Sequence, residues 1–270
     1  MPELPEVETT CRGILPYIDQ QTVAEVVVRQ PKLRWLVPEE IQAMKGEIIQ
    51  SVRRRGKYIL LETSKGTALI HLGMSGSLRV LDVGTEAERH DHVDIVFKNG
   101  KLIRLRDPRR FGSVLWTTKN PLKHKLIKSL GPEPLDNGFN VDYLFQCSRG
   151  RKVSIKQFIM NGHVVVGVGN IYACESLFKA GISPKALAGK VSKKRYEKLV
   201  EIIKEVLAAA IEQGGTTLKD FVRATGSPGY FQQQLYVYGR AGESCLVCDS
   251  MVKQIKQGQR STFYCGKCQR

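Results

Sequence analysis

Four cysteines near the end of the chain, Cys245-x2-Cys248-x16-Cys265-x2-Cys268, are spaced to hold a metal. Each pair sets two thiolates on one tight knuckle, and two knuckles complete a tetrahedral site. An all-sulfur set leaves no open coordination position, so the one Zn2+ expected here is structural and activates no water. Between the pairs, residues 251–256 and 260–264 flank Gln257-Gly258-Gln259, the pattern of a β-hairpin whose turn projects away from the metal. Lys253, Lys256, Arg260, Lys267 and Arg270 stand against Asp249 alone. A hairpin so basic is suited to lie on phosphates, with Arg260 near its tip.

The other end of the chain carries a weaker signal, because a second-position proline is by itself ordinary. Pro2 follows Met1, and a small second residue permits removal of the initiator methionine, which exposes a secondary amine. An α-amino nitrogen titrates near 7.7 to 8.0, far below lysine, so a neutral fraction exists at about pH 7. A secondary amine that attacks a sugar anomeric carbon forms an iminium ion, the covalent intermediate of Schiff-base chemistry.

The chain has 270 residues, enough for two ordinary domains, and 42 Lys+Arg against 26 Asp+Glu give a formal charge of +16. Such a balance favours a polyanionic partner, nucleic acid ahead of an anionic membrane surface, for which no strongly basic amphipathic helix is evident. No apolar run approaches a membrane span and no signal peptide opens the sequence, so a cytoplasmic, nucleoid-associated location is expected. Cys11, Cys147 and Cys174 are scattered in apolar contexts and fit free thiols in a reducing compartment.

The elements that must position these groups follow from periodicity. Pro5, Glu6 and Glu8 suit the first turn of a helix that runs to about Ile14, before Pro16. Apolar runs at 23–28, 58–62, 68–71 and 93–97 then suggest a β-sandwich or barrel, and Asn99-Gly100 between 93–97 and 102–105 signals a hairpin. Gly131-Pro132-Glu133-Pro134 through Asn137-Gly138 reads as linker. Beyond it Ser192 can cap a helix carrying Tyr196, Leu199, Val200, Ile203, Val206, Leu207 and Ala210 on one face, up to Gly214-Gly215.

Pro2-Glu3-Leu4-Pro5-Glu6-Val7-Glu8, taken with the cysteine pattern, resembles the opening of the bacterial formamidopyrimidine-DNA glycosylases. The resemblance continues in family order through Arg55-Gly56-Lys57-Tyr58, His71-Leu72-Gly73-Met74-Ser75-Gly76, Asp107-Pro108-Arg109-Arg110-Phe111-Gly112, Val166 to Ala173 and Tyr236-Val237-Tyr238-Gly239-Arg240. It implies an α+β fold: an N-terminal β-sandwich or barrel with flanking helices at 2–130, a linker at 131–150, a helix-two-turn-helix domain with a lesion lid at 151–240, and a zinc hairpin at 241–270.

It also implies a reaction. The processed Pro2 attacks C1′ of a damaged nucleotide, the base leaves, and β- and δ-elimination cut the strand, with Glu3 moving protons and Glu6 in support. Lys57 and Arg260 join the catalytic set at the phosphates beside the lesion, and Asn170 with Arg260 clamps the flanking phosphates. By its position Asn170 also suits an N-cap, since it precedes an apolar helical run. Met74, Arg109 and Phe111 match an intercalating trio that fills the hole left by an extruded base, with Arg109 reading an orphaned cytosine.

His90, Arg151, Lys156, Lys219 and Tyr238 complete the expected DNA-binding set. His71, His90 and His92 otherwise read as polar-network residues, since no fourth ligand makes them a metal site. Glu175 is a possible second-domain counterpart of Glu6, or an ordinary capping or ion-pairing group. The glycine-rich stretch 214–230 reads as a lid over an everted base. It carries Arg223-Ala224-Thr225-Gly226 where many relatives are acidic and serine-bearing, and Ser75 stands where some have glutamate. The partner implied is duplex DNA bearing oxidised purines, the protein acting as a monomer. The rival readings are the sister glycosylase for oxidised pyrimidines, endonuclease VIII, which Leu4 and the segment 107–111 disfavour, and a zinc-bearing protein that only binds DNA.

Overall fold

The structure is a computed structural model in which residues 2–215 and 235–270 are described. It opens with α1 (Leu4–Ile18), whose Leu4, Val7, Cys11, Ile14 and Ile18 recur at helical spacing and are buried. Pro5 sits in the first turn, where a missing N–H costs nothing. The helix continues through Pro16 instead of stopping before it. Proline there removes only one late backbone bond, and the end is closed by the Asp19 N–H on the Leu15 carbonyl at 3.0 Å.

Two antiparallel four-stranded sheets follow. One has the order β1 (Val23–Val28), β6 (Asp91–Phe97), β7 (Lys101–Arg106), β5 (Ser77–Asp82); the other runs β2 (Ser51–Arg55), β3 (Tyr58–Thr63), β4 (Gly66–His71), β8 (Ser113–Thr117). Their inward residues, among them Val26, Ile95, Ile103, Ile59, Ile70 and Val114, share one core with the apolar face of α1. The expected hairpin is present as β6 and β7, with Gly100 at φ +80° and Val96 paired to Leu102. Strands β5 and β8 had no counterpart in the sequence expectation. Both are short; β5 alternates buried with half-buried residues, while β8 buries only Ser113 and Val114.

The chain divides into two compact units, one built on Met1–Ser129 and the other on Leu130–Ala210 with the C-terminal segment. The second contains α2 (Val141–Ser148), α3 (Ile155–Ile159), α4 (Asn170–Ala180) and most of α5 (Lys193–Gly215). The stretch 131–150 is therefore not a bare linker. It carries α2, capped by the Asn140 side chain on the Tyr143 N–H, and it places Phe139 and Leu144 in the core. Helix α5 starts just after Ser192, whose hydroxyl accepts the Arg195 N–H, and it buries Tyr196, Leu199, Val200, Ile203, Leu207 and Ala210 as its pattern requires.

Strands β9 (Val252–Gln257) and β10 (Arg260–Cys265) form the C-terminal hairpin, which belongs to the second unit instead of standing alone. Its turn is Gly258-Gln259, both at positive φ, with Gln257 paired to Arg260. No described helix is long and apolar enough to cross a membrane.

Candidate active site and nucleic-acid interface

In the first unit, half-buried Pro2 immediately precedes Glu3, which is only 1% exposed and caps α1. The Glu6 carboxylate accepts the Glu3 backbone N–H at 2.7 Å, so it fixes the peptide that follows Pro2. Glu8, two residues on, accepts Arg12 Nε at 2.9 Å and Arg54 Nε at 2.8 Å. Burial pushes the Glu8 carboxyl up, but these guanidinium groups outweigh it and hold it below the ordinary carboxylate range.

The Arg54 side chain is largely covered, and its Nη1 also donates to the Gly56 carbonyl at 3.0 Å. Gly56, at φ +57°, turns the chain from β2 into β3. Arg54 thus braces the turn that carries Lys57 against the helix that begins beside Pro2. Lys57 itself is half-buried at that turn, not on an open strand face.

Met74, Arg109 and Phe111 are exposed at the tips of two loops, 72–76 and 107–112. The loops touch through glycines: a Cβ on Gly73 would meet Gly112 N at 2.4 Å, and one on Gly112 would meet the His71 carbonyl at 2.8 Å. Asp107, fully buried, closes the junction. It accepts the Ser75 hydroxyl at 2.7 Å, the Gly112 N–H at 2.7 Å and the Arg109 N–H at 3.3 Å. Arg109 then lies over the Phe111 ring, 4.8 Å from its centroid. The departure at Ser75 therefore has a local purpose, since a hydroxyl is what bonds the carboxylate here.

The histidines belong to this framework. His92 bonds the Asp107 carbonyl through Nε2 at 2.8 Å, and the carbonyl of half-buried His90 accepts the Asp107 N–H. His71 Nδ1 accepts the Gly73 N–H at 3.0 Å. Burial first, then the charges of Lys57 and Arg34, push the His71 pKa down to about 4, so its ring is neutral at physiological pH.

The second unit centres on a buried lysine. Lys156, 1% exposed, donates from Nζ to Asn170 Oδ1 at 2.5 Å, to the Ser261 carbonyl at 3.0 Å and to Thr262 Oγ1 at 2.7 Å. An ammonium has only three N–H donors. Lys156, expected among the DNA-binding residues, is buried here and its ammonium donates to Asn170 and the hairpin.

Asn170 does not cap its helix with its side chain. Gly169 occupies the N-cap, while Asn170 spends Oδ1 on Lys156 and gives Nδ2 to the Ser261 carbonyl at 2.9 Å. The residue beside Arg260 is thereby tied to the start of α4, and Arg260 remains exposed next to the hairpin turn. Arg151 is exposed, with Nε near the Cys147 carbonyl at 3.3 Å. Glu175, 4% exposed, uses its carboxylate to accept the N–H groups of Tyr236, Val237 and Tyr238 at 2.9, 3.0 and 2.9 Å. Of the lid expected at 214–230, Gly214 and Gly215 end α5, and the rest, Lys219 included, lies outside the described residues.

The Sγ atoms of Cys245, Cys248, Cys265 and Cys268 all lie within 4.8 Å of one another. The pairs Cys245 with Cys268 and Cys248 with Cys265 stand 3.9 and 3.4 Å apart. A tetrahedron with Zn–S bonds of about 2.3 Å has edges of about 3.8 Å, so the donors fit zinc. Sequence reading missed Gln269, which accepts the Cys265 N–H and donates to the Ile182 carbonyl, both at 2.9 Å, and so ties a knuckle to the chain after α4.

Three family models match: the formamidopyrimidine-DNA glycosylase N-terminal domain over residues 1–114, its H2TH domain over 130–222, and the zinc finger found in FPG and IleRS over 242–270. The formamidopyrimidine-DNA glycosylases of Idiomarina loihiensis and Pseudomonas aeruginosa are 57% and 56% identical, over the whole of both chains. The chain belongs to the formamidopyrimidine-DNA glycosylase family.

A solved MutM (FPG) protein from Thermus thermophilus has a TM-score of 0.86 at 36% identity and covers 99% of this chain and 98% of its own. A Lactococcus lactis formamidopyrimidine-DNA glycosylase, solved non-covalently bound to DNA containing an AP site, has a TM-score of 0.88 at 30% identity over all of both chains. The expected family, its α+β architecture and the zinc finger of this glycosylase are thus borne out.

Proposed function

We propose that this glycosylase excises oxidised purines, 8-oxoguanine and formamidopyrimidines, from duplex DNA and then cuts the strand as an AP lyase, working as a monomer. The observation that carries the reading is the start of the chain. Half-buried Pro2 is followed by a buried carboxylate at Glu3, whose peptide N–H is fixed by Glu6. With Met1 removed, the Pro2 nitrogen attacks C1′, the C1′–N bond to the base breaks, and an iminium forms. Glu3 protonates the opening sugar and offsets the developing positive charge. Loss of the C2′ proton and of the 3′ phosphate is the β-step; the 5′ phosphate leaves in the δ-step.

Lys57, with Arg260, Asn170, His90, Arg151 and Tyr238, would hold phosphates around the lesion, and Lys156 acts in this reading by positioning Asn170 and Ser261. Met74, Phe111 and Arg109 would enter the stack as apolar wedges and a planar cation, Arg109 favouring cytosine opposite the lesion. The exposure of all three on a clamped loop pair supports that use. The four cysteines would hold structural zinc and so keep Arg260 at the end of a defined hairpin.

Duplex bearing 8-oxoguanine opposite cytosine, incubated with the protein and borohydride, tests the reading. A covalent adduct whose peptide map ends on Pro2 is expected. Tight binding without an adduct would favour a DNA-binding module, and an adduct formed only with oxidised pyrimidines would favour endonuclease VIII chemistry.

A further inference from the structure

The segment 30–38 contains no acidic residue and exposes Lys32, Arg34, Trp35 and Leu36. It is a fixed loop. The Val37 N–H bonds the Pro31 carbonyl at 2.8 Å, Lys32 and Leu36 form a bridge, and Leu33 and Val37 are buried beneath it. Its tip is latched to the Met74/Phe111 loop pair, because the Arg34 N–H donates to the Gly112 carbonyl at 3.0 Å. Arg34 lies over the Trp35 ring at 4.8 Å, the same separation as Arg109 over Phe111, with Gly112 between the two pairs in the bonding chain. The rings of His71 and Tyr58 are 4.9 Å apart at the strand ends beside Lys57, and the Arg34 charge reaches both: burial, Lys57 and then Arg34 lower His71, while burial raises Tyr58 against the opposing Arg34 charge.

Trp35 and Leu36 make a contiguous exposed apolar pair beside Lys32 and Arg34, a surface suited to a covering partner. The covering partner must tolerate cations and offer flat apolar faces. A nucleic-acid backbone with its sugars and base edges does both. We propose that Arg34 and Trp35 form a second duplex contact beside the wedge, Arg34 on a phosphate and Trp35 against the sugar or base edge of a nucleotide next to the opened pair. This rests on the reading of the chain as a DNA glycosylase. The latch to Gly112 gives the contact a consequence: the loop registers the duplex relative to Phe111, so losing it weakens capture of a distorted site more than of regular duplex.

The chain has two tryptophans, so Trp116→Phe leaves Trp35 as the sole indole reporter. The probe is a duplex carrying a tetrahydrofuran abasic analogue opposite cytosine, with binding followed independently by the anisotropy of a label on the DNA. Saturation should shift Trp35 emission and reduce its quenching by acrylamide. Arg34→Ala should raise Kd about 5- to 10-fold and reduce the salt slope by about one. Trp35→Ala should weaken binding by about 5-fold or more, and Trp35→Phe should restore most of it.

Anisotropy that reports binding while Trp35 emission and acrylamide access stay unchanged would overturn the proposal. So would Arg34→Ala and Trp35→Ala proteins that bind like the parent. A parent protein that fails to bind the duplex at all would overturn the glycosylase reading and this inference with it, and the anisotropy channel alone distinguishes that case.

Discussion

The loop pair 72–76 and 107–112 and the hairpin 252–265 both present exposed cations, yet they are held by different means. The loops rest on a sandwich with a large apolar core, and their last adjustment is made by one buried carboxylate, Asp107, and by glycines that let two backbones touch. Among the described residues the hairpin has only a small cluster beneath it, including Cys174, Phe178, Val237, Val252 and Phe263. So little apolar surface cannot order two strands unaided, and the metal with buried Lys156 supplies the rest. The contrast teaches where each half is fragile: polar satisfaction in the first, metal loading in the second.

The largest expected effect is therefore on the hairpin. Removing zinc by chelation, or replacing Cys265 with Ala, should unfold it, because structural zinc contributes on the order of 10 kcal/mol to such folds. Near-complete loss of binding to abasic-analogue duplex is expected, while amide exchange in the sandwich stays protected. Loss of protection in both units at once would break the comparison.

On the other side, Asp107→Ala strands the Ser75 hydroxyl and the Gly112 N–H, a loss of ~2–4 kcal/mol that urea unfolding should read. Zinc content should be untouched. Asp107→Asn, which keeps one acceptor, should recover part of it.

A smaller effect is expected from Arg54→Gln, which removes the brace between Glu8 and the Gly56 carbonyl. Single-turnover cleavage should slow about 10-fold, as expected of a misplaced Lys57, with little change in duplex affinity. If Arg54 acts through Lys57, the same substitution made in Lys57→Ala protein should add almost nothing.

A last effect depends on pH. His71 titrates at about 4 in the folded chain against an ordinary 6.5, so the unfolded chain binds the proton first as pH falls. Stability is full above about pH 6.5 and declines between 6.5 and 4, by at most ~3 kcal/mol, from this group. His71→Gln should flatten that slope in pH-dependent unfolding.

What could be read in the sequence was what lies close along the chain. Valine and isoleucine runs gave β1, β3 and β6, Asn99-Gly100 gave a hairpin, and the two cysteine knuckles gave the metal site. Pairings across long separations were not legible. Asp107 meets Ser75 across 32 residues and Lys156 meets Thr262 across 106, so neither could be told from a turn aspartate or a surface lysine. Nor could the stretch 131–150, where proline and glycine masked a helix packed through Leu144. Pro2 and Glu3 were legible as chemistry only beside the family pattern, because a second-position proline has no periodicity to mark it.

The central claim is that the Pro2 nitrogen does the bond-breaking. It is tested most directly by single-turnover strand cleavage of 8-oxoguanine duplex with protein in which a glycine inserted before Pro2 turns that nitrogen into an amide. The account predicts that abasic-analogue binding persists while cleavage and the borohydride adduct vanish. Cleavage at the unmodified rate would contradict it.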